Sequence, residues 1–312
     1  MIPGSTKQMG ACIVCQGQLS LFGAHSSYTY CRCPDCGTIQ LSPMPDKAEM
    51  TRAYETEYAA QKLDPEVWRR VSRPYYDSII KVLRDYRVKG LVVDYGAAKG
   101  HFVERMIQSG FDARGVELSQ DEVAYAQQHG LPVQQGDLSK LNGFESHVSA
   151  ITMSAVFEHM LDHGEVLSAV HRLLTSDGLF ITMHPTARAA HLFGNLLRFG
   201  DKQKPLPSLA GVIDAPWHTV LFSINGTKQL LSQQGFQVLE IRPAPQGRLG
   251  GFRGAAQILL EQINKLGWSA LRTRWPLVTT HIFVCQKMAG PHGMSRADKS
   301  SRLGVASQKL FM

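Results

Sequence analysis

The sequence predicts an α/β fold built on an open, mostly parallel sheet. Short apolar segments rich in β-branched residues alternate with segments of helical periodicity between residues 91 and 241. The links between these segments are short, as they are in sheets covered by helices on both faces. The first segment, residues 91–100, runs from three apolar residues into an acidic residue and a glycine turn. This order is typical of a buried strand that leads into a helix.

Composition and charge narrow the class of protein. Of the 312 residues, 44% are hydrophobic, which suits a packed core. The chain has no run of about 18 apolar residues, and its start has no apolar signal core. We therefore expect a cytoplasmic protein without a membrane span. Of the net charge of +7, residues 289–312 carry +3. They lack periodicity, so we expect a disordered basic tail and a body too mildly charged to favour a nucleic-acid partner.

Five of the six cysteines lie in the first forty residues. Two C-x-x-C pairs are separated by seventeen residues, a spacing typical of a four-thiolate zinc site: Cys12, Cys15, Cys33 and Cys36. Cys31 is an alternative to Cys33, but Cys33 is preferred because it begins a complete Cys-Pro-Asp-Cys-Gly turn. A closed four-sulfur site has a structural role. Residues 1–41 are therefore predicted to form a zinc ribbon.

Residues 42–88 are predicted to form a helical connector. An extended segment with two prolines comes first. A helical stretch over residues 46–63 then places three side chains on one face: Met50, Tyr54 and Tyr58. A second helix is predicted over residues 65–86.

Residues 89–288 are predicted to form the main domain. Its strands are predicted at residues 91–94, 112–117, 133–135, 148–153, 179–183, 235–241 and 279–285. Its helices are predicted at residues 101–109, 120–129, 164–174 and 224–234. Two insertions interrupt this order. Residues 186–217 are expected to form a lid, and residues 247–276 to contain a helix near 255–266.

Polar residues follow the first four strands, at the edge where open α/β sheets bind ligands. Glu117 ends the second strand, where a carboxylate can accept hydrogen bonds from two ribose hydroxyls. Leu118 can pack on a purine, and Asp137 can accept from an exocyclic amine. The loop after the first strand does not have the G-x-G-x-x-G spacing of dinucleotide sites. The pattern therefore indicates an adenosine site formed by Asp94, Gly96, Ala98, Gly100, Glu117, Leu118, Asp137, Ser154 and Glu158.

The chain resembles the class I S-adenosylmethionine-dependent methyltransferases. Their first motif is D/E-x-G-x-G-x-G, which Asp94, Gly96 and Gly100 match, with Ala98 in place of the middle glycine. The resemblance covers about residues 91–241 and continues through G-V-E-L-S, Q-G-D-L, V-F-E-H-M-L-D-H, H-R-L-L-T-S-D-G-L-F-I-T, H-T-V-L-F-S and L-L-S-Q-Q-G-F.

This resemblance implies a Rossmann-like sheet of seven strands, the last of them antiparallel, and an enzyme that binds S-adenosyl-L-methionine. A zinc ribbon before such a domain is similar to the arrangement in sugar C-methyltransferases that act on nucleotide-linked deoxysugars. Those enzymes carry a further C-terminal domain, whereas about seventy residues follow residue 241 here. The expected acceptor is a small hydroxylated metabolite or sugar-like group, methylated on oxygen or carbon.

Methyl transfer requires an aligned acceptor and, for a hydroxyl of high pKa, a base. Histidine suits this role near neutral pH, and the candidates are His159, His184 and His218. For each of them, a solvent-facing or structurally bonded histidine is the alternative. The Glu158–His159 pair also permits a divalent metal site, but the sequence shows no convincing third ligand.

Two other functions stay open at this point. An RNA methyltransferase would use the ribbon and the basic tail to hold the backbone. A non-catalytic methyltransferase-like module is the other alternative, and the replacement of a motif glycine by Ala98 is what favours it.

Overall fold

A computed structural model describes residues 10–53, 64–138, 141, 143–196, 205–206, 212–247 and 251–288. The tail predicted at residues 289–312 lies outside the described residues. So do Tyr54 and Tyr58 of the connector, together with residues 197–204 and 207–211 of the first insertion.

A small antiparallel sheet forms the N-terminal part of the chain. Strand β1 (Ser20–His25) and strand β2 (Tyr28–Arg32) form a hairpin, and β3 (Ile39–Leu41) pairs with β2. The fourth strand comes from the far side of the first insertion. This strand, β9 (Val220–Leu221), pairs antiparallel with β3. The N-terminal sheet is therefore completed by the main domain.

Two helices follow the small sheet. Helix α1 (Lys47–Ala53) occupies the first part of the predicted stretch 46–63. Helix α2 (Pro65–Asp85) matches the second predicted helix to within one residue. It begins where the Asp64 side chain accepts hydrogen bonds from two main-chain N–H groups, a standard N-cap. Its buried side chains, Ile79, Ile80, Val82 and Leu83, pack on one face of the large sheet.

The large sheet has seven strands and confirms the predicted fold. They are β4 (Leu91–Tyr95), β5 (Asp112–Glu117), β6 (Val133–Gln135), β7 (Val148–Ser154), β8 (Leu174–Pro185), β10 (Phe236–Pro243) and β11 (Thr280–Lys287). Their order is β10-β11-β8-β7-β4-β5-β6. Strand β11 runs antiparallel to both of its neighbours, and the β7, β4, β5 and β6 pairings are parallel.

Helices cover both faces of this sheet. They are α3 (His101–Gln108), α4 (Gln120–Gln128), α5 (His163–Leu173), α7 (Ile224–Gln233) and α8 (Gly251–Leu271). Helix α6 (Ala187–Leu196) instead packs against the N-terminal sheet through Ala187 and Ala190. Among the described residues, no helix is both long and apolar enough to span a membrane.

Three further elements differ clearly from the prediction. Helix α6 was not predicted, because residues 186–217 were expected to form a lid. Helix α8 is longer at both ends than the predicted 255–266. Strand β8 begins at Leu174 rather than residue 179, since Leu174 pairs with Val148 before the register shifts around the Asp177–Gly178 turn.

Candidate active site

The glycine loop after β4 has the left-handed backbone that its sequence requires. Gly96 and Gly100 have φ angles of 76° and 75°, and Ala98, at the position of the missing motif glycine, has φ of 44°. A non-glycine residue in this region costs on the order of 1–3 kcal/mol. The Ala98 main-chain N–H donates to a Glu117 carboxylate oxygen at 2.9 Å, which holds the strained residue in place. Alanine therefore keeps the loop geometry that glycine would adopt.

Gly96 also lies where a side chain would collide with Val156. A Cβ at this position would lie 2.4 Å from Val156 Cγ2. Because backbone conformation and space both exclude a side chain, we expect Gly96→Ala to lower the free energy of unfolding by about 2–4 kcal/mol. Chemical denaturation measures the change.

Gly130→Ala is the matched control for Gly96→Ala. Gly130 has a similar φ of 71°, but a Cβ there would have no atom within 4 Å. This variant should lose only about 1 kcal/mol. Equal losses in the two variants would show that contact with Val156 is unimportant.

Glu117 and Leu118 form the part of the edge next to the loop. The Glu117 carboxylate accepts from the N–H groups of Ala98 and Ser119, both at 2.9 Å. Each carboxylate oxygen keeps a further lone pair for a hydroxyl. Leu118 follows Glu117 at the same edge and is 60% exposed, so its apolar surface is free to contact a flat ring.

Asp137 contacts Tyr95, a residue that the sequence analysis did not include in the site. The Tyr95 hydroxyl donates to Asp137 Oδ2 at 3.4 Å. Burial, followed by the Asp137 charge, raises the pKa of this tyrosine. A polar ring at the end of an otherwise apolar buried strand was the signal available in the sequence.

Asp94 is a buried carboxyl group at the end of β4. It is 3% exposed, and the Thr152 hydroxyl of the neighbouring strand donates to Asp94 Oδ1 at 2.6 Å. Burial, with the Glu117 charge as a smaller cause, raises the pKa of Asp94 to about 7 despite the threonine hydrogen bond. Thr152 is a second residue that the sequence argument missed. It lies opposite Asp94 in the parallel register of β4 and β7.

The raised pKa of Asp94 predicts a pH dependence of stability. Between the ordinary value of 3.8 and about 7, the folded protein holds a proton that the unfolded chain releases. Stability from this group is thus complete at low pH and is lost as pH rises through the folded pKa. We expect Asp94→Asn to reduce the fall in unfolding free energy over this interval, by up to about 1.4 kcal/mol per pH unit. Denaturation at several pH values measures the slope.

Asp112→Asn is the control for this pH series. Asp112 is an exposed carboxylate at the start of the adjacent strand β5, and its replacement should leave the slope unchanged. Parallel stability curves for Asp94→Asn and the wild type would contradict the prediction.

The other side of the site is formed by a single turn of 3₁₀ helix, Phe157–His159, which follows β7. Glu158 is 1% exposed, and its Oε2 atom has no hydrogen-bond partner among the described residues. The Oε1 atom lies 3.8 Å from His159 Nε2. His159 Nδ1 is 2.7 Å from the Trp217 carbonyl oxygen. A carbonyl only accepts, so Nδ1 carries the proton and the lone pair of the neutral ring is on Nε2.

His218 completes this cluster from the far end of the first insertion. Its Nδ1 atom lies 2.9 Å from the Val212 carbonyl oxygen, which again places the lone pair on Nε2. The His159 and His218 ring centroids are 4.9 Å apart. Ligand atoms of Glu158, His159 and His218 all lie within 4.8 Å of one another. The structure thus adds His218 to the Glu158–His159 pair as the third residue that the sequence analysis did not find.

Burial disfavours the charged form of each member of this cluster. It raises the pKa of Glu158 to about 8. It lowers the pKa of His159 to about 3, with the nearby His218 as a second cause. The pKa of His218 is also lowered, chiefly by burial.

His184 lies elsewhere. It is fully buried in β8, with Nδ1 3.2 Å from the Thr182 hydroxyl and Nε2 3.3 Å from the Thr227 hydroxyl. Its ring stacks on Phe283 at a centroid distance of 5.0 Å. The structure does not bring His184 into the cluster of Glu158, His159 and His218. Ser154 ends β7 at the edge of the sheet, where it pairs with Met183 of β8.

The four predicted metal ligands come together in the N-terminal sheet. The Sγ atoms of Cys12 and Cys36 are 3.6 Å apart, and those of Cys15 and Cys33 are 3.4 Å apart. All four lie within 4.8 Å of one another. With zinc–sulfur bonds of about 2.3 Å, a tetrahedron has edges of about 3.8 Å, so the four thiols fit zinc. Cys31 is buried outside this group, where its pKa is raised by burial.

The N-terminal sheet directly contacts the cluster of Glu158, His159 and His218. The Tyr30 hydroxyl donates to the His218 carbonyl oxygen at 2.9 Å. The Thr219 hydroxyl donates to the carbonyl oxygens of Glu158 and Met160, both at 3.1 Å. His218 is therefore fixed between the small sheet and the 3₁₀ turn.

Comparisons with known proteins agree with this geometry. The family model for the methyltransferase domain matches residues 67–241, more than half of the chain. The "Putative methyltransferase" of Geobacillus sp. (strain WCH70) is 26% identical over 202 residues, covering 52% of this chain and 80% of that protein. The "Putative methyltransferase YqeM" of Bacillus subtilis (strain 168) is 25% identical over 115 residues, covering 34% of this chain and 47% of that protein.

A solved structure shares the fold. The crystal structure of Burkholderia thailandensis 1,6-didemethyltoxoflavin-N1-methyltransferase, with bound 1,6-didemethyltoxoflavin and S-adenosylhomocysteine, matches with a TM-score of 0.50 at 14% identity. The match covers 86% of this chain and 100% of that one. With the family match over the glycine loop and the sheet edge, it follows that the chain belongs to the methyltransferase domain family and is an S-adenosylmethionine-dependent methyltransferase.

Proposed function

We propose that the protein transfers a methyl group from S-adenosyl-L-methionine to an oxygen or carbon atom of a small hydroxylated acceptor, of which a sugar-like ring is one form. The observation that carries this proposal is the pair of imidazole Nε2 lone pairs of His159 and His218, whose Nδ1–H groups are both held on main-chain carbonyls. A neutral Nε2 of this kind can accept a hydrogen bond from a hydroxyl group, which supports a role in holding the acceptor.

The residues of the sheet edge fit the cofactor. Glu117 would accept from the ribose hydroxyls, the exposed Leu118 would cover the adenine, and Asp137 would accept from its amino group. The remaining contacts are assigned to the loop and to the end of β7: Asp94, Gly96, Ala98, Gly100, Ser154 and Glu158. When bound, the cofactor supplies a methyl group on a sulfonium centre. The protein's contribution is to hold the acceptor in line with it.

His159 and His218 are the proposed acceptor residues. Each neutral ring can accept a hydrogen bond from a hydroxyl at Nε2, while its Nδ1–H stays fixed on a main-chain carbonyl. As the new bond forms, the same nitrogen can accept the hydroxyl proton. His184 is left out of this proposal because threonine hydroxyls engage both of its ring nitrogens.

The domain organisation in this proposal follows the predicted boundaries. A zinc ribbon over residues 1–41 has a structural zinc ion, residues 42–88 form the connector, and residues 89–288 carry the reaction. None of the six cysteines is in a disulfide, which favours a reducing compartment such as the cytoplasm.

The test is a transfer assay with S-adenosylmethionine labelled on its methyl group. Three acceptor pools are offered: nucleotide-linked sugars, small hydroxylated acids and phenols, and bulk RNA. We expect label in one of the small-molecule pools. Label in RNA alone would favour the RNA methyltransferase instead. Cofactor binding without label in any pool would favour a non-catalytic module.

Variants test the roles of the two histidines. His159→Gln and His218→Gln should each lower kcat by about 10²–10⁴-fold, with cofactor affinity unchanged. His147→Gln, an exposed histidine outside the site, should leave the rate unchanged. Full activity in both site variants would remove the histidines from the mechanism.

A further inference from the structure

We propose that Glu158, His159 and His218 bind one divalent metal ion of the kind that takes mixed nitrogen and oxygen ligands, such as Mn²⁺, Fe²⁺ or Co²⁺. We further propose that two neighbouring oxygen atoms of the acceptor occupy open positions of its coordination shell. The identity of the acceptor rests on the proposed function, whereas binding of the ion does not.

Three potential ligand atoms converge in the right place. One carboxylate oxygen and two imidazole nitrogens lie within 4.8 Å of one another. Glu158 Oε1 and His159 Nε2 are 3.8 Å apart, a separation that two ligands of one ion can have at bonds of about 2.0–2.2 Å. Glu158 and His159 are adjacent in a rigid 3₁₀ turn. His218 is held opposite them by the Tyr30 and Thr219 hydrogen bonds. The fold of the main chain therefore brings the three ligand atoms together.

The two histidines are oriented as metal ligands usually are. Metal-binding histidines donate one ring N–H to a carbonyl or carboxylate, which fixes the tautomer and leaves the other nitrogen for the ion. His159 donates from Nδ1 to the Trp217 carbonyl, and His218 donates from Nδ1 to the Val212 carbonyl. Both rings thus present Nε2 to the cluster.

The Glu158 side chain supplies an independent reason to expect a cation. It is 1% exposed, and its Oε2 atom has no hydrogen-bond partner among the described residues. An unpartnered buried polar atom costs about 1–3 kcal/mol, and more if it is charged. A bound cation would compensate the carboxylate. Among the described residues, no Lys or Arg is paired with Glu158 in an ion pair.

The ligand set separates this site from the zinc ribbon and indicates the acceptor class. Four thiolates close the ribbon site, whereas two histidines and one carboxylate leave positions open on the ion. Three protein ligands leave three positions open on a six-coordinate ion, and two neighbouring ones suit an acceptor with adjacent oxygens, such as a vicinal diol or a hydroxyl beside a carbonyl group. An ion there lowers the pKa of a coordinated hydroxyl. With Nε2 of both imidazoles bound to the ion, the imidazoles would act on the acceptor through the ion, and the proton of the coordinated hydroxyl would be released to solvent instead of to Nε2.

Titration with Mn²⁺ followed by electron paramagnetic resonance tests the site, because the signal of free Mn²⁺ disappears on binding. The full-length protein is used with its ribbon zinc retained, and Mn²⁺ is the only ion added. We expect one Mn²⁺ per chain, with imidazole nitrogen couplings in the spin-echo spectrum. Glu158→Gln and His218→Gln should each weaken binding by at least about tenfold. His147→Gln should bind Mn²⁺ like the wild type.

The melting temperature, measured in parallel, reports whether each variant is folded, and His218→Gln decides the case if Glu158→Gln does not fold. No Mn²⁺ binding by the wild type, or equally tight binding by the folded variants, would overturn the metal site. Mn²⁺ binding without methylation of any acceptor would overturn the proposed function and leave the site. Full methylation without bound Mn²⁺ would overturn the metal site and leave the proposed function.

Discussion

Glu117→Ala is expected to weaken binding of S-adenosylmethionine by at least about a hundredfold. Hydrogen bonds to a charged group contribute about 1.5–3 kcal/mol each, so loss of two from the ribose accounts for this factor. The substitution also releases the Ala98 and Ser119 N–H groups that the carboxylate now holds. The strained Ala98 would then lose its restraint. Isothermal titration calorimetry gives the affinity directly.

Asp121→Ala provides a matched control for Glu117→Ala. Asp121 is an exposed carboxylate in the first turn of α4, four residues along the chain. Its removal should change cofactor affinity by less than about threefold, since an exposed charge contributes well under 1 kcal/mol. If both variants bind the cofactor like the wild type, Glu117 does not contact the ribose.

Cys33→Ser is expected to release the ribbon zinc and to reduce methyl transfer to near background. Binding of structural zinc is coupled to folding and contributes on the order of 10 kcal/mol in small domains. Without it, β3 should lose its pairing with β9, and Tyr30 its hydrogen bond to the His218 carbonyl. We expect a lower melting temperature together with the loss of activity. Zinc content is measured by a colorimetric chelator.

Cys31→Ala separates loss of zinc from loss of a buried thiol. Cys31 lies in β2, two residues from Cys33, and outside the group of four sulfurs. This variant should keep one zinc per chain and most of the activity. Zinc loss from Cys31→Ala, or its retention in Cys33→Ser, would exchange the roles of the two cysteines.

The parts of the fold that depend on local patterns were predictable. The segment 91–100 combines an apolar strand, an acid and two glycines, and its geometry is set by neighbours in sequence. The same holds for Glu117 at the end of β5. The C-x-x-C pairs likewise define their group of four by spacing.

Other features depend on residues that are distant in sequence. His218 lies beside Glu158 and His159 because the adjacent strand β9 pairs with β3 of the N-terminal sheet. No spacing rule connects residues so far apart in the sequence. Thr152 and Tyr95 could have been suspected as polar residues in apolar strands. Their partners, Asp94 and Asp137, become apparent only from the register of the sheet.

The β3–β9 pairing has a consequence for how the chain is assembled. Strand β9 is synthesised about 180 residues after β3, so the N-terminal sheet keeps an unpaired edge until the central strands have emerged. Contacts between such distant segments form slowly, and an unpaired edge invites association with other chains. The cluster of Glu158, His159 and His218 depends on this pairing, and we therefore expect it to form late in folding. The ribbon cannot be removed without exposing β9, nor moved to another protein without leaving β3 uncovered.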